Sequence, residues 1–315
     1  MSHILYVVVP CYKEQEVLPE TSTRLRIKLE ELIAAGKISS CSRILFVNDG
    51  STDKTWDIIC GLHSSNHIFA GVNLSKNRGH QNALLAGLMV AKDKADIVIS
   101  MDADLQDDIC AADEMLTKFE QGYDIVFGVR SSRSKDSRFK RVSAECFYKF
   151  MRAIGVDIVF NHADYRLMSK RALEGLAMFK EVNLFLRGII PMIGYPTAVV
   201  MYERAERFAG ETKYPLKKML SFAFEGATSL SVRPIRMITV FGLISFFASL
   251  VMLAYFIIDY MGGGTMPGWA STIVSIWAIG GVQLLAIGII GEYIGKIYLE
   301  TKARPRFIIE KIMLD

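Results

Sequence analysis

Ile97-Val98-Ile99-Ser100-Met101-Asp102-Ala103-Asp104-Leu105-Gln106 is the stretch on which the reading of this chain turns. Its first half is a short apolar run with β-branched residues, which suits a strand buried on both faces. Two carboxylates one residue apart follow at once. Asp102 and Asp104, at a strand tip, can share one hard cation, and Gln106 can add a neutral oxygen. Mg²⁺ or Mn²⁺ prefers such oxygen ligands and bridges to a diphosphate, neutralising the charge that builds on a departing group. Taken alone, the same pattern describes solvated loop acids. The buried strand in front of it is what raises the cation reading.

Working outward, apolar runs of the same kind recur at Ile4–Val9, Arg43–Val47, Ile68–Leu74 and Ile125–Phe127. Amphipathic helical patterns lie between them at Glu16–Ala35, Lys54–His63, Gln81–Ala91 and Ala111–Gln121. Such alternation implies right-handed βαβ units, an α/β fold and a mostly parallel sheet. Ligands of these sheets bind at the carboxyl ends of the strands. The loops expected there are Pro10–Glu14, Asn48–Asp53, Ser75–Gly79 and Asp102–Asp107. Pro10 ends a ladder, Tyr12 offers a flat face to a base, and Glu14 offers an acceptor. Gly50 permits a tight turn, and Ser51, Thr52 or Asp53 can cap the next helix. Asp49 stands at its strand tip, facing the expected cleft. Stacker, acceptors and metal pair together have the chemistry of a nucleotide site.

The second half is different in kind. Helices are expected at Phe139–Ala153, Lys170–Met178 and Leu184–Met192, and Tyr214–Ser231 has the pattern of a helix lying at a membrane interface. Met237–Ile258 and Thr272–Ile290 contain no charged residue, and each has the ~20 residues needed to cross a bilayer core of ~30 Å. Arg233 and Arg236 precede them; Lys296, Lys302, Arg304, Arg306 and Lys311 follow; the link Asp259–Ser271 holds no Lys or Arg. The positive-inside rule then puts both termini in the cytoplasm. The expected division is a catalytic domain over 1–213, an interfacial region over 214–236, a transmembrane hairpin over 237–291 and a basic cytoplasmic tail over 292–315.

Composition agrees: 51% of the 315 residues are hydrophobic and 22% charged, with the apolar excess after Arg236. A net charge of +4 without a long basic block gives no sign of nucleic-acid binding. Five widely spaced cysteines without a C-x-x-C argue against a disulfide framework or a zinc site and fit a reducing compartment. Ile4–Val9 is too short for a signal-peptide core and reads as a first strand. His80 and His162 have no metal-ligand spacing and are expected to make hydrogen bonds.

The loops Val-Val-Pro-Cys-Tyr-Lys-Glu (8–14), Val-Asn-Asp-Gly-Ser-Thr-Asp (47–53) and Asp-Ala-Asp-Leu-Gln (102–106) resemble the signature of family 2 glycosyltransferases with the GT-A fold, which is Rossmann-like. Asp164-Tyr165-Arg166-Leu167-Met168, the stretch Arg207 to Tyr214 and two closing apolar segments narrow the resemblance to the polyprenyl-phosphate glycosyltransferases. The resemblance covers nearly the whole chain. It implies that Pro10, Tyr12, Glu14 and Asp49 hold the nucleoside and that Asp102, with Ala103 beside it, approaches the ribose or base. Asp102, Asp104 and Gln106 would hold Mg²⁺ or Mn²⁺. Arg207 and Lys213 would reach over the donor diphosphate. Asp164 would stand beside the acceptor as the proposed base with Arg166 next to it, unless the two merely form a salt bridge. Arg130, Arg133, Arg141 and Ser143 would receive the lipid phosphate, although a solvated basic loop explains the arginines equally well.

The expected activity is inverting transfer of a hexose, first of all from UDP-glucose, to undecaprenyl phosphate at the cytoplasmic face of a bacterial inner membrane. Because a phosphate monoester is already ionised near its second pKa of ~6, positioning and charge neutralisation should count for more than an acceptor base. By resemblance the protein is a homo-oligomer, a tetramer. Alternatives are another donor sugar (N-acetylglucosamine, mannose or an aminopentose), a non-catalytic nucleotide-sugar-binding scaffold for a flippase, or a processive polysaccharide synthase. The last lacks its Arg-Trp motif here and would need more spans.

Overall fold

The structure, a computed structural model, describes residues 2–131, 162–203, 233–262 and 268–314. Expected elements in the remaining stretches, the 139–153 helix and the 214–231 interfacial helix among them, lie outside the described residues. The apolar runs become β1 (Leu5–Cys11), β2 (Arg43–Asn48), β3 (Phe69–Leu74), β4 (Ile97–Ser100) and β5 (Ile125–Arg130). Between them lie α1 (Leu18–Ala34), α2 (Thr55–Ser65), α3 (His80–Lys92) and α4 (Ala111–Glu120). Next come β6 (His162–Ser169), α5 (Lys170–Ala177), α6 (Leu186–Met192) and β7 (Thr197–Tyr202). Two long helices, α7 (Arg233–Met261) and α8 (Trp269–Lys302), precede β8 (Ile309–Met313).

The strands form one sheet in the order β7-β5-β6-β4-β1-β2-β3-β8. β4, β1, β2 and β3 are parallel neighbours, as the strand–helix alternation requires. Every residue of β1 is buried, and its side chains divide between two cores. Leu5, Val7 and Val9 pack with Leu25 and Leu29 of α1, Ile59 of α2 and Met115 of α4. Tyr6 and Val8 pack with Leu84 and Leu88 of α3, Leu173 of α5 and Ile189 of α6. Full burial of each such side chain stabilises the fold by roughly 1.5–3 kcal/mol, so a strand covered on both faces needs no amphipathic alternation. Gly87 sets how closely α3 can lie on the sheet, because a Cβ there would stand 2.5 Å from Val8 Cγ1 and 2.6 Å from Val47 Cγ2.

Three strands, β6, β7 and β8, depart from the sequence reading; β7 pairs parallel with β5 at one edge of the sheet. β6 enters antiparallel between β4 and β5. Charged Asp164 and Arg166 disguise it, since a periodicity reading puts charges outside, whereas Arg166 is fully buried. β8 falls within the region read as a basic tail, yet it pairs antiparallel with β3, and Ser75 N donates to Ile308 O at 3.0 Å. Its Glu310 and Lys311 are exposed, which is normal for an edge strand and is what made the segment look like tail.

Among the described residues one stretch, Ala278–Lys302 in α8, is long and apolar enough to cross a membrane by length and composition. Ile235–Ser245 in α7 is a shorter apolar stretch.

Candidate active site

The loops after β1 and β2 are stitched together. Lys13 N donates to Ser51 Oγ at 3.0 Å and Glu14 N to Thr55 Oγ1 at 3.0 Å, while Asp49 N donates to Cys11 O at 2.9 Å. Lys13 takes φ +57°, a left-handed conformation that a side chain rarely adopts without a local constraint. Pro10 lies two residues past Val8, whose carbonyl accepts from Met101 N at 3.1 Å on the β4 side, and keeps its register with Val47 of β2. The expected loss of a ladder bond therefore falls on one side of β1 only. Tyr12 is 44% exposed, so its side chain is open to a ligand. Asp53 Oδ1 accepts from Thr55 N at 3.2 Å just before α2, but the N-cap position is Lys54 and carries no side-chain cap bond, so none of Ser51, Thr52 and Asp53 is the cap residue that was expected.

Asp49 is buried. Its two carboxylate oxygens accept from Arg78 N at 2.7 Å and Gly79 N at 2.9 Å. Burial raises its pKa against these two bonds, which favour the ionised form. Gly79, at φ +85°, turns the chain into α3. Asp49 thus fixes where α3 begins, and His80, the first residue of that helix, comes to the cleft.

After β4 the chain makes a tight reversal. Leu105 has φ +57° and is buried, and Gln106 N donates to Asp104 Oδ1 at 3.2 Å. Ala103 is buried, with its carbonyl accepting from Thr21 Oγ1 of α1 at 2.7 Å. Asp102 and Asp104 therefore project from an anchored turn.

The β4–β6 register explains what faces them. Ser100 pairs with Arg166; two residues further in opposite directions are Asp102 and Asp164. Ser100 Oγ locks this end by donating to Asp164 O at 2.7 Å. His80 Nε2 lies 3.5 Å from Asp102 Oδ1 and 3.5 Å from Asp164 Oδ2. Asp164 is also clamped by Arg187 of α6, whose Nη2 reaches Oδ2 at 3.2 Å and Nε reaches Oδ1 at 3.3 Å. Arg166 Nη2 donates to Asp164 Oδ1 as well. Arg166 Nε and Nη1 are buried without a hydrogen-bond partner among the described residues.

The charges divide accordingly. Asp102 is pushed up to about 6 by burial and by the carboxylates of Asp164, Asp107 and Asp104, against the pull of His80. Asp164 is held well below the usual range: burial opposes ionisation, but Arg187, His80 and Arg166 outweigh it. For His80, burial works against the proton, and Asp164 and Asp102 outweigh it to raise the pKa.

Arg130 sits at the end of β5, where its Nη2 is 3.5 Å from Asp107 Oδ1 and its Nε donates to Tyr202 Oη at 3.4 Å. Tyr202 Oη donates to Asp107 Oδ1, and Asp107 Oδ2 is a buried atom without a partner among the described residues. Arg133, Arg141, Ser143, Arg207 and Lys213 lie outside the described residues.

Sequence reasoning missed Arg187 and gave His80 only a hydrogen bond. A signal for Arg187 exists: it interrupts the apolar run Leu184-Phe185-Leu186 before Gly188-Ile189-Ile190, and a cation in a buried helix requires a carboxylate partner.

Residues 6–176 match the family model of glycosyl transferase family 2. An uncharacterized glycosyltransferase of Bacillus subtilis, YkoT, is 53% identical over 98% of this chain and 91% of its own length. A prophage bactoprenol glucosyl transferase homolog of Escherichia coli is 40% identical over 97% of this chain and 98% of its own. The bactoprenol glucosyl transferase of Shigella phage SfX is 41% identical, covering 96% and 98% respectively. With matches of this length, the chain belongs to glycosyl transferase family 2, alongside the bactoprenol glucosyl transferases, and is a glycosyltransferase with a GT-A-like α/β domain.

Proposed function

We propose that the protein transfers a hexose, first of all from UDP-glucose, to undecaprenyl phosphate with inversion, at the cytoplasmic face of a membrane. The observation that carries this reading is the pairing at His80 of an acidic, cation-seeking turn with a carboxylate already saturated by two arginines. Nearly full-length similarity to bactoprenol glucosyl transferases supports the lipid acceptor.

Asp102 and Asp104 fit a divalent cation. Their donor atoms are hard oxygens, and the crowding that raises the Asp102 pKa is what a cation relieves. Among the described residues no cluster of three or more His, Cys, Asp or Glu side chains has metal-site spacing. Asp102, Asp104 and the Gln106 amide would hold Mg²⁺ or Mn²⁺, hard ions that take oxygen donors. Such an ion, when bound, neutralises charge on the departing nucleoside diphosphate.

In the reaction an acceptor phosphate oxygen attacks the anomeric carbon from the face opposite the diphosphate. That carbon's bond to the diphosphate oxygen breaks, and the nucleoside diphosphate leaves with the electron pair. The nucleophile needs no deprotonation near neutral pH. Asp164, gripped by two guanidiniums, is suited to orienting Arg187 and His80 rather than to accepting a proton. The surplus positive charge of Arg166 and Arg187 over Asp164 favours an anionic acceptor. Tyr12 stacks the base, with Pro10 and Glu14 beside it, and Asp49 secures the adjoining loop. Arg207 and Lys213 cover the diphosphate, and Arg130, Arg133, Arg141 and Ser143 approach the lipid phosphate.

Topology supports reading α7 and α8 as a membrane hairpin. α7, at 29 residues, and α8, at 34, are each over about 40 Å long at 1.5 Å per residue. β8 rejoins the sheet that the chain left before α7. A chain that departs and returns on one side crosses an even number of times, so a crossing by α8 requires one by α7. Basic residues flank the hairpin on that side and are missing from its link, a pattern that supports a cytoplasmic side.

The test is incubation of the full-length protein in nanodiscs with Mg²⁺, undecaprenyl phosphate and radiolabelled UDP-glucose. Label extractable into organic solvent is expected. Label only with UDP-N-acetylglucosamine, GDP-mannose or an aminopentose donor reassigns the sugar. No lipid-linked label with any of them overturns the reading.

A further inference from the structure

We infer that Glu300, at the end of α8, is a positioning residue for sugar transfer: it fixes the segment that brings Arg187 onto Asp164. The inference rests on the reading of this cleft as the transfer site, and extends it to a residue far from the cleft in sequence.

Much of α8 is exposed, but the Glu300 carboxylate is committed to the catalytic unit. Its Oε2 accepts from Val182 N at 2.8 Å, and its Oε1 from Asn183 N at 2.8 Å and Asn183 Nδ2 at 2.7 Å. Asn183 Nδ2 also donates to Lys296 O at 3.3 Å, one turn earlier on the helix. Three donors on one carboxylate make a strong, directional clasp. Arg306 adds a fifth hydrogen bond, donating from Nη2 to Phe179 O at 2.7 Å.

The clasp leads directly to the cleft. Phe185 and Leu186 are buried, and Leu186 N donates to Gln81 Oε1 at 2.8 Å, beside His80 on α3. Arg187 follows with its two contacts to Asp164. Four residue steps separate Asn183 from Arg187, a reach of at most about 14 Å in extended chain, and the buried Phe185 and Leu186 leave little slack. A shift of Val182 and Asn183 therefore moves the start of α6, and with it the two-point grip of Arg187. The helix that anchors the protein is thus mechanically continuous with the carboxylate at the cleft. A merely structural Glu300 would hold the hairpin to the domain without affecting turnover by folded molecules.

The test uses full-length protein in nanodiscs, with kcat and donor KM measured for wild type, Glu300→Ala, Asn183→Ala, Arg187→Lys and the Glu300→Ala/Arg187→Lys double variant. Glu300→Ala is expected to lower kcat about ten-fold with donor KM changed by less than about two-fold. In the Arg187→Lys background the same change should cost less than about two-fold, because the effect runs through Arg187. Asn183→Ala, which leaves both backbone donors in place, should show a smaller loss of the same kind if Glu300→Ala folds poorly. Amide exchange at 182–187, read without substrate, should quicken in Glu300→Ala. Full multiplication of the two kcat effects, or a lowered melting temperature with unchanged kcat, overturns the inference. So does unchanged protection at 184–187, whatever the donor proves to be. Wild-type protein that transfers no sugar overturns the proposed reaction instead.

Discussion

Asp102 and Asp164 meet at one imidazole nitrogen, each 3.5 Å from His80 Nε2, and their surroundings push them in opposite directions. Asp102 ends a parallel strand among other acids, and burial with that crowding carries it up to about 6. Asp164, on an inserted antiparallel strand, is also partly buried, but Arg187, His80 and Arg166 hold it well below the usual range. The same side chain is therefore short of positive charge on one side of the cleft and saturated with it on the other. The first has the electrostatics of a cation ligand. The second has those of an anchor, and a proton acceptor so stabilised in its ionised form would be a weak base.

The largest way to break the comparison is on the acidic side. Asp104→Ala should reduce kcat by about 10³-fold or more, since charge neutralisation at the leaving group is lost. Transfer measured at saturating Mg²⁺ checks this, and retention of more than a tenth of wild-type turnover would remove the metal pair from the mechanism.

On the other side, Asp164→Asn should reduce kcat by about 10²-fold while leaving the shape of the pH–rate profile unchanged. A proton acceptor would instead lose its acidic limb. The same variant strands a buried guanidinium, a cost of about 3 kcal/mol, equivalent to roughly 6–12 °C in melting temperature for a domain of this size. The sign follows from the depressed folded pKa: Asp164 stabilises the protein fully above its unfolded value of about 4, and the contribution fades as pH falls through the folded value. Melting temperature should accordingly show no loss attributable to Asp164 between about pH 5 and 8.

The contrast also marks what the sequence could disclose. The acidic side was legible because each element announces itself locally: an apolar run, then a loop with Asp102 and Asp104, or with Asp49 and Gly50. The other side is assembled by long-range pairing. β6 carries charges on a buried strand, Arg187 comes from a helix 23 residues beyond Asp164, and Glu300 arrives from the last turn of the second long helix. No local pattern encodes a salt bridge between distant residues. β8 escaped for the related reason that an edge strand with Glu310 and Lys311 has no apolar run of its own. Asp49 was recognised at its strand tip, but a sequence cannot reveal that the Arg78 and Gly79 amides already occupy its oxygens.

The pH dependence sharpens the comparison further. With Asp102 raised to about 6, its carboxyl is protonated below that pH and a proton must leave before a cation binds. Metal affinity, measured by calorimetry with Mn²⁺ and nucleoside diphosphate, should fall by up to about ten-fold per pH unit below 6 and flatten above it. Asp102→Asn should abolish the slope, whereas Asp164→Asn should preserve it.

The smallest expected effect lies at the outer edge of the acidic side. The Tyr12 side chain is open to a ligand, with Lys13 Nζ 5.5 Å from its ring centroid. Stacking of a base on such a ring contributes about 1–3 kcal/mol, and partial exposure puts this case at the low end. Tyr12→Leu should therefore raise donor KM about five- to ten-fold with kcat nearly unchanged, while Tyr12→Phe should match the wild type. The pair isolates the ring face from the hydroxyl. A loss in Tyr12→Phe equal to that in Tyr12→Leu would mean that the hydroxyl, not the face, meets the donor. A loss in kcat rather than KM would mean that Tyr12 acts on the turn through Lys13, whose left-handed backbone links it to Ser51.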